Sequence, residues 1–251
     1  MSLIRVDDVS FGYTADRRIL DGVSLDIAAG DTIGLVGESG SGKTTLLRLL
    51  LGLERPNAGS ISFDGAPLEP GNGPFMRQFR RQAQVVFQDP YSSLDPRQRV
   101  FSIIAEPLRS LRIAGDHAVA VASALAAVGL DPDTAKRYPH QFSGGQRQRI
   151  AIARAIVAKP RLLLADEAVS ALDLTTRIRI VELLAELSKD MSLLFVSHDI
   201  GVVAALCQRI VILEHGRIVE QGETANVLAA PQHSYTQRLL ASVPRLTLKE
   251  T

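Results

Sequence analysis

A chain of 251 residues can bury a substantial core, as one large domain or as a domain with a subdomain. With 46% apolar residues, 22% charged residues and a net charge of +1, it has an ordinary globular composition and no overall field that would draw it to nucleic acid or an anionic membrane. The single cysteine, Cys207, excludes an intrachain disulfide framework and cysteine-based zinc sites, and fits a reducing compartment.

In chain order, the opening MSLIRVDDVSF lacks the basic start and apolar core of a signal peptide. Short β-rich segments follow at residues 4–6, 25–27 and 60–63, divided by turn signals such as AAGD and FDG. A buried-type strand at 32–36 enters a glycine-rich loop and then a helix at 44–51, closed by Gly52 with Pro56 beyond. Residues 85–87 read as another strand. From residue 89 to 158 the pattern is helical, with helices expected at 100–111, 118–128 and 145–158. No apolar run approaches the ~20 residues that span a bilayer, since the best, 150–158, is broken by Arg154. A cytoplasmic protein that does not itself cross a membrane is expected.

Strands then return at 162–165, 193–196, 210–213 and 217–219, with helices at 175–188 and 200–206 between them. Strands alternating with helices argue for a parallel α/β sheet. Because that pattern resumes after residue 158, the helical middle reads as an insertion. Cys207 follows Val202, Val203, Ala204 and Leu206, a setting that predicts a packed core thiol.

The segment GESGSGKT, with Gly37, Glu38, Ser39, Gly40, Ser41, Gly42, Lys43 and Thr44, fits G-x-x-x-x-G-K-[ST] at each fixed position, between a strand and a helix. Successive backbone N–H groups from Gly40 to Thr45 can form a concave nest for phosphates. Lys43 is expected to reach the β- and γ-phosphates and the Thr44 hydroxyl to ligate Mg²⁺. In RLLLADE, a buried strand delivers Asp166 to its end as a candidate Mg²⁺ ligand, with Glu167 beside it able to accept a proton from an attacking water. His198 and Gln88 close two other strands, where ligands of a parallel sheet bind; Gln88 could orient water or contact Mg²⁺. Tyr13 could stack on adenine or simply pack on a neighbouring strand residue.

A second anion-type feature lies in PHQFSGGQRQRIAIARAI. Ser143 is a good N-cap, Gly144 and Gly145 leave backbone donors accessible, and Ile150, Ile152, Ala153, Ile156 and Val157 give an apolar face. Arg147, Arg149 and Arg154 could be its solvated face. By itself this is an ordinary capped helix.

Taken in order, the phosphate loop, Gln88, FSGGQ, LLLADE, SALD (170–173) and His198 closely resemble the nucleotide-binding subunit of an ABC transporter, through nearly the whole chain. The resemblance implies an α/β P-loop NTPase, RecA-like, with an N-terminal antiparallel β subdomain and an inserted α-helical subdomain. It implies one domain over 1–251, with 1–88 and 159–251 as the nucleotide-binding core and 89–158 as the helical signature subdomain. Two such domains pair head to tail, so that Ser143, Gly144, Gly145 and Gln146 would bind the γ-phosphate of an ATP seated on the partner's loop. The other implied roles are Tyr13 on adenine, Asp166 on Mg²⁺, Glu167 as general base and His198 on the γ-phosphate. Gln88 would link hydrolysis to the membrane subunits, and Asp173 would communicate across the dimer.

Within that family, VFQDPYSSLDPR, RYPHQFSGGQRQRIAIARA and PQHSYTQRLLASVP resemble the oligopeptide/dipeptide/nickel importer group. Ala168, where peptide-importer members usually have proline, and the short tail after SYTQRLL lean toward a compact nickel or metal-chelate branch. The implied partners are a second ABC ATPase subunit, two transmembrane permease subunits and, indirectly, a periplasmic or extracellular solute-binding protein, at the cytoplasmic face of the membrane. A soluble ABC ATPase acting on DNA or ribosomes is the main alternative, but it would carry coiled-coil insertions, tandem cassettes or basic extensions. A non-hydrolysing module is opposed by Glu167, and an exporter by the importer-group motifs.

Overall fold

The strands sort into two sheets. The smaller is antiparallel, in the order β2 (Leu20–Ala28), β1 (Ser2–Phe11), β4 (Ala58–Phe63) and β5 (Ala66–Pro67). The larger runs β10 (Arg217–Glu223), β9 (Arg209–Glu214), β3 (Thr32–Val36), β8 (Ser192–Ser197), β7 (Leu162–Asp166) and β6 (Ala83–Val86). All its pairs are parallel except the β9–β10 hairpin at one edge. The computed structural model describes residues 2–14, 17–71, 73–89 and 93–242. Part of the VFQDPYSSLDPR motif (90–92) and the end of PQHSYTQRLLASVP (243–244) lie outside the described residues.

The central strands β9, β3, β8 and β7 are buried on both faces, which is why they show continuous apolar runs rather than alternation. In β7, Leu162 and Leu164 face a core shared with the antiparallel sheet, and Leu163 and Ala165 face a core shared with the helices. The same division separates Leu194 and Val196 from Leu193 and Phe195 in β8, and Val211 and Leu213 from Ile210 and Ile212 in β9. The first core also receives Leu46, Leu47, Leu49 and Leu50 of α1 (Lys43–Leu50).

The N-terminal strands are longer than the sequence pattern suggests. Arg5, Asp7 and Asp8 lie on the exposed face of β1, where charge is tolerated, and the register shifts between Val6 and Val9, with Asp8 at φ 48°. α2 (Pro74–Gln82) follows, anchored by the buried Met76 and Phe79. The helix expected at 100–111 is two, α3 (Val100–Ile104) and α4 (Glu106–Ser110). Pro107 has no N–H to give the Ile103 carbonyl, so the ladder breaks at Ala105.

Next come α5 (His117–Ala127), capped by Asp116, and α6 (Gly144–Ile156), which buries its apolar stripe in the core on the helical side of the sheet. Downstream lie α7 (Leu174–Leu187), α8 (Ile200–Leu206), α9 (Thr224–Ala229) and α10 (Ser234–Ala241). Cys207, just past α8, is buried, and burial pushes its thiol up to about 12, which leaves it protonated and inert as expected of a core thiol. Among the described residues no helix is long and apolar enough to cross a membrane.

Candidate active site

All five residues of β3 are buried, and the strand delivers the chain into the loop at 37–42. Gly40 (φ 83°) and Gly42 (φ 108°) adopt left-handed backbone that glycine takes without strain. A Cβ at Gly37 would stand 2.3 Å from the Leu213 carbonyl oxygen, so β9 packs directly on the loop. Lys43, only 6% exposed, donates from Nζ to the carbonyls of Gly37 (2.7 Å) and Glu38 (2.8 Å). Burial lowers its pKa, against the pull of Glu167, Asp166 and Glu38.

The neighbouring Ser41 hydroxyl is buried without a hydrogen-bond partner. A buried cation bonded to two neutral carbonyls and an orphaned hydroxyl donor suit an anion with several acceptor oxygens, and a polyphosphate is such a group. One amide of the expected nest is engaged, since Ser41 N–H donates to Glu38 O at 3.2 Å. Glu38, Ser39 and Thr44 are exposed and Thr45 half-buried at the start of α1. Tyr13, 52% exposed, packs edge-on against Phe11 with ring centroids 5.0 Å apart, and its hydroxyl accepts from Arg48 of α1 at 3.0 Å. The ring thus packs on its own strand and still shows a face to solvent.

β7 ends at Asp166. Burial raises the Asp166 pKa, the Glu167 charge adds to this, and Lys43 and Arg48 oppose it. Glu167 sits at φ 44°, a strained setting for a residue with a side chain, and its N–H donates to Val196 O of β8 at 2.9 Å. That turn aims its carboxylate at two other strand ends. Gln88 Nε2 donates to Glu167 Oε2 at 3.0 Å, and His198 Nδ1 stands 3.3 Å from Oε1. Ser170 Oγ donates to the Glu167 carbonyl at 3.0 Å, steadying the residue from below. Gln88, Glu167 and His198 come from three separate strands, and only the fold joins them.

The FSGGQ segment lies apart from this group. Ser143 caps α6 in a closed capping box: its Oγ accepts from Gln146 N–H at 3.3 Å, and Gln146 Oε1 accepts from Ser143 N–H at 3.0 Å. The box engages the amides of Ser143 and Gln146, not those of Gly144 and Gly145. A Cβ on Gly145 would stand 2.3 Å from Thr176 Cγ2, so this glycine lets α6 approach α7. Asp173 caps α7, accepting from Thr176 N–H at 3.0 Å, a bond that lowers its pKa. Among the described residues no hydrogen bond ties residues 143–146 to the loop at 37–45.

The arginines of α6 correct the expectation of a solvated face. Arg147 Nε donates to Pro139 O (2.8 Å), Arg149 Nη1 to Val128 O (2.5 Å) and Arg154 Nη1 to Ser93 O (2.5 Å). Each ties off a carbonyl in the connections around the helix. The sequence reading also passed over Tyr235, whose hydroxyl accepts from the Glu38 amide of the phosphate loop at 2.9 Å. Its one signal was a lone aromatic in SYTQRLL.

The family model for ABC transporters matches residues 20–170, and that for the C-terminal region of oligopeptide/dipeptide transporters matches residues 219–251. A Brucella ovis protein named as a peptide import ATP-binding protein is 46% identical over 235 residues, 92% of this chain and 74% of the relative. Among solved structures, cbiO1 from Clostridium perfringens, part of the ABC transporter complex cbiONQ, superposes with a TM-score of 0.82 at 27% identity over 91% of both chains. The ATP-binding cassette MJ0796, a dimer in a post-hydrolysis state bound to ADP and Pi, gives 0.77 at 27% identity over 88% of this chain and 98% of that one. A phosphate loop between β3 and α1, a carboxylate pair at the end of β7 and these matches agree: the chain is a P-loop NTPase that belongs to the ABC transporter family, as an ATP-binding and ATP-hydrolysing subunit.

Proposed function

We propose that the chain powers an importer of peptides by hydrolysing ATP at the cytoplasmic face of a membrane, where it sits as a peripheral subunit. The observation that carries the catalytic reading is the Glu167 carboxylate held between Gln88 and His198 at the mouth of the phosphate loop. Lys43 leaves its two carbonyls to meet the β- and γ-phosphates, offsetting their charge. Glu167 takes the proton of the attacking water, His198 contacts the γ-phosphate, and the exposed Tyr13 face carries the adenine. Thr44, Asp166 and Gln88 are the residues that would hold Mg²⁺, which supplies charge neutralisation of the phosphates when bound.

The self-capped N-terminus of α6, separate from its own loop, supports a second ATPase subunit whose ATP meets Ser143, Gly144, Gly145 and Gln146, with Asp173 at the seam. Residues 89–158 then act as the subdomain that passes closure through Gln88 to two permease subunits, a solute-binding protein delivering cargo outside. The peptide assignment follows the name of the Brucella relative. Reconstitution with the permease subunits that co-purify with it, followed by ATP-dependent uptake of labelled dipeptides, tests it. Uptake of a nickel chelate with no peptide uptake would replace the solute, and no uptake of either would remove the importer reading.

A further inference from the structure

The peptide unit joining Gly37 to Glu38 is gripped from both sides. Its carbonyl accepts from Lys43 Nζ at 2.7 Å, and its N–H donates to Tyr235 Oη at 2.9 Å, across 197 positions of sequence. In a trans peptide these groups point in opposite directions, so the two bonds together fix the plane and leave it no freedom to rotate. Tyr235 is 3% exposed, its ring lies in the core on the helical side of the sheet, and burial raises its pKa, keeping the phenol neutral.

Helix α10 carries Tyr235 and is itself fastened to the β9–β10 hairpin. Arg238 pairs with Glu214 at 3.1 Å, and the amides of Gln232 and His233 donate to the Glu220 carboxylate at 2.8 and 3.1 Å. The same hairpin meets the loop again through Gly216 N–H, which donates to Ser41 O at 2.9 Å, and through Leu213 against Gly37. The outer wall of the phosphate loop is therefore built by residues near the far end of the chain.

We propose that Tyr235 is a positioning residue for ATP binding: its hydroxyl holds the Gly37–Glu38 peptide in the orientation that leaves the loop formed before nucleotide arrives. It touches no reacting atom. Without it the peptide can rotate, and part of the binding energy goes into re-forming the loop, which raises KM without touching the chemical step. The proposal rests on the reading of this loop as the ATP site.

Titration of the full chain with a fluorescent ATP analogue, together with steady-state hydrolysis, tests it on Tyr235→Phe, which removes one oxygen from a buried ring and keeps its packing. The expected result is an affinity about fivefold weaker and a KM raised to match, the size of one hydrogen bond, with kcat unchanged. Arg238→Ala, which loosens the helix that carries the phenol, is expected to weaken binding in the same direction but by less than Tyr235→Phe does, with kcat again unchanged. Wild-type binding in the same titration checks the ATP site separately. Equal affinity in wild type and Tyr235→Phe, or a fall in kcat at constant KM, overturns the proposal for Tyr235.

Discussion

Gln88 donates to Glu167 across 79 positions, its Nε2 lying 3.0 Å from Oε2. The bond joins the residue that leads into the helical segment to the carboxylate proposed as the general base. In the proposed mechanism, movement of that segment relative to the sheet would reach this carboxylate through the Gln88 side chain. The opposite oxygen of Glu167 faces His198, so the carboxylate is oriented from both edges before substrate binds.

Asp166 carries a folding cost that its proposed role as a Mg²⁺ ligand would justify. Its pKa is raised in the folded chain, chiefly by burial and then by Glu167, so ionising it disfavours the folded state. That penalty is absent below the unfolded value of 3.8, grows as pH rises, and is complete above the raised folded value. Asp166→Asn is therefore expected to raise the melting temperature of the nucleotide-free protein by a few degrees at pH 7 while losing Mg²⁺-dependent hydrolysis. Thermal scans across pH should show the gain shrinking as pH falls toward 3.8. A variant that melts below wild type at pH 7 would contradict this balance.

Ser143 caps α6 and is proposed to meet the partner's γ-phosphate, and two substitutions separate these roles. Ser143→Ala removes the N-cap and should cost about 1 kcal/mol, a fall of roughly 2–4 °C in melting temperature. Ser143→Arg places a long cation where the partner's γ-phosphate would dock. ATP binding by isolated subunits should persist while turnover is lost, as read by nucleotide titration and phosphate release. Weakened binding by the isolated subunit would count against a contact made across a dimer.

Gly145 is held to glycine by packing as well as by any ligand, since its Cβ would meet Thr176 Cγ2 at 2.3 Å. Gly145→Ala should destabilise by about 1–3 kcal/mol despite alanine's better helix propensity. Thr176→Ser removes the clashing methyl, so the double variant should recover most of the loss in a denaturation cycle. Additive effects would place the constraint elsewhere.

How much of this was legible depended on whether a feature is local. The phosphate loop, the apolar run ending in Asp166 and Glu167, and the Ser143 cap are each written in consecutive residues, because a turn, a buried strand or a helix start is set by its own backbone. The double-sided burial of β7 and β8 was legible too, since nothing polar interrupts LLLA or LLFV. The split at Ala105 was missed because apolar spacing outweighed Pro107, one proline without a donor. Contacts set only by the tertiary arrangement left no trace: Gln88 with Glu167, Arg154 with Ser93, and Tyr235 with Glu38. The arginines of α6 misled for the same reason, because their partners are backbone carbonyls, which no sequence marks.

Glu167→Gln tests the central claim most directly, because it keeps the shape and the bond from Gln88 while removing the proton-accepting charge. Phosphate release and solution mass should be measured on the same sample with ATP and Mg²⁺. The expected result is a kcat at least about a hundredfold lower, with ATP now trapping a stable dimer. Wild-type turnover in this variant, or a chain that binds ATP and neither dimerises nor slows, would contradict both the role of Glu167 and the shared site.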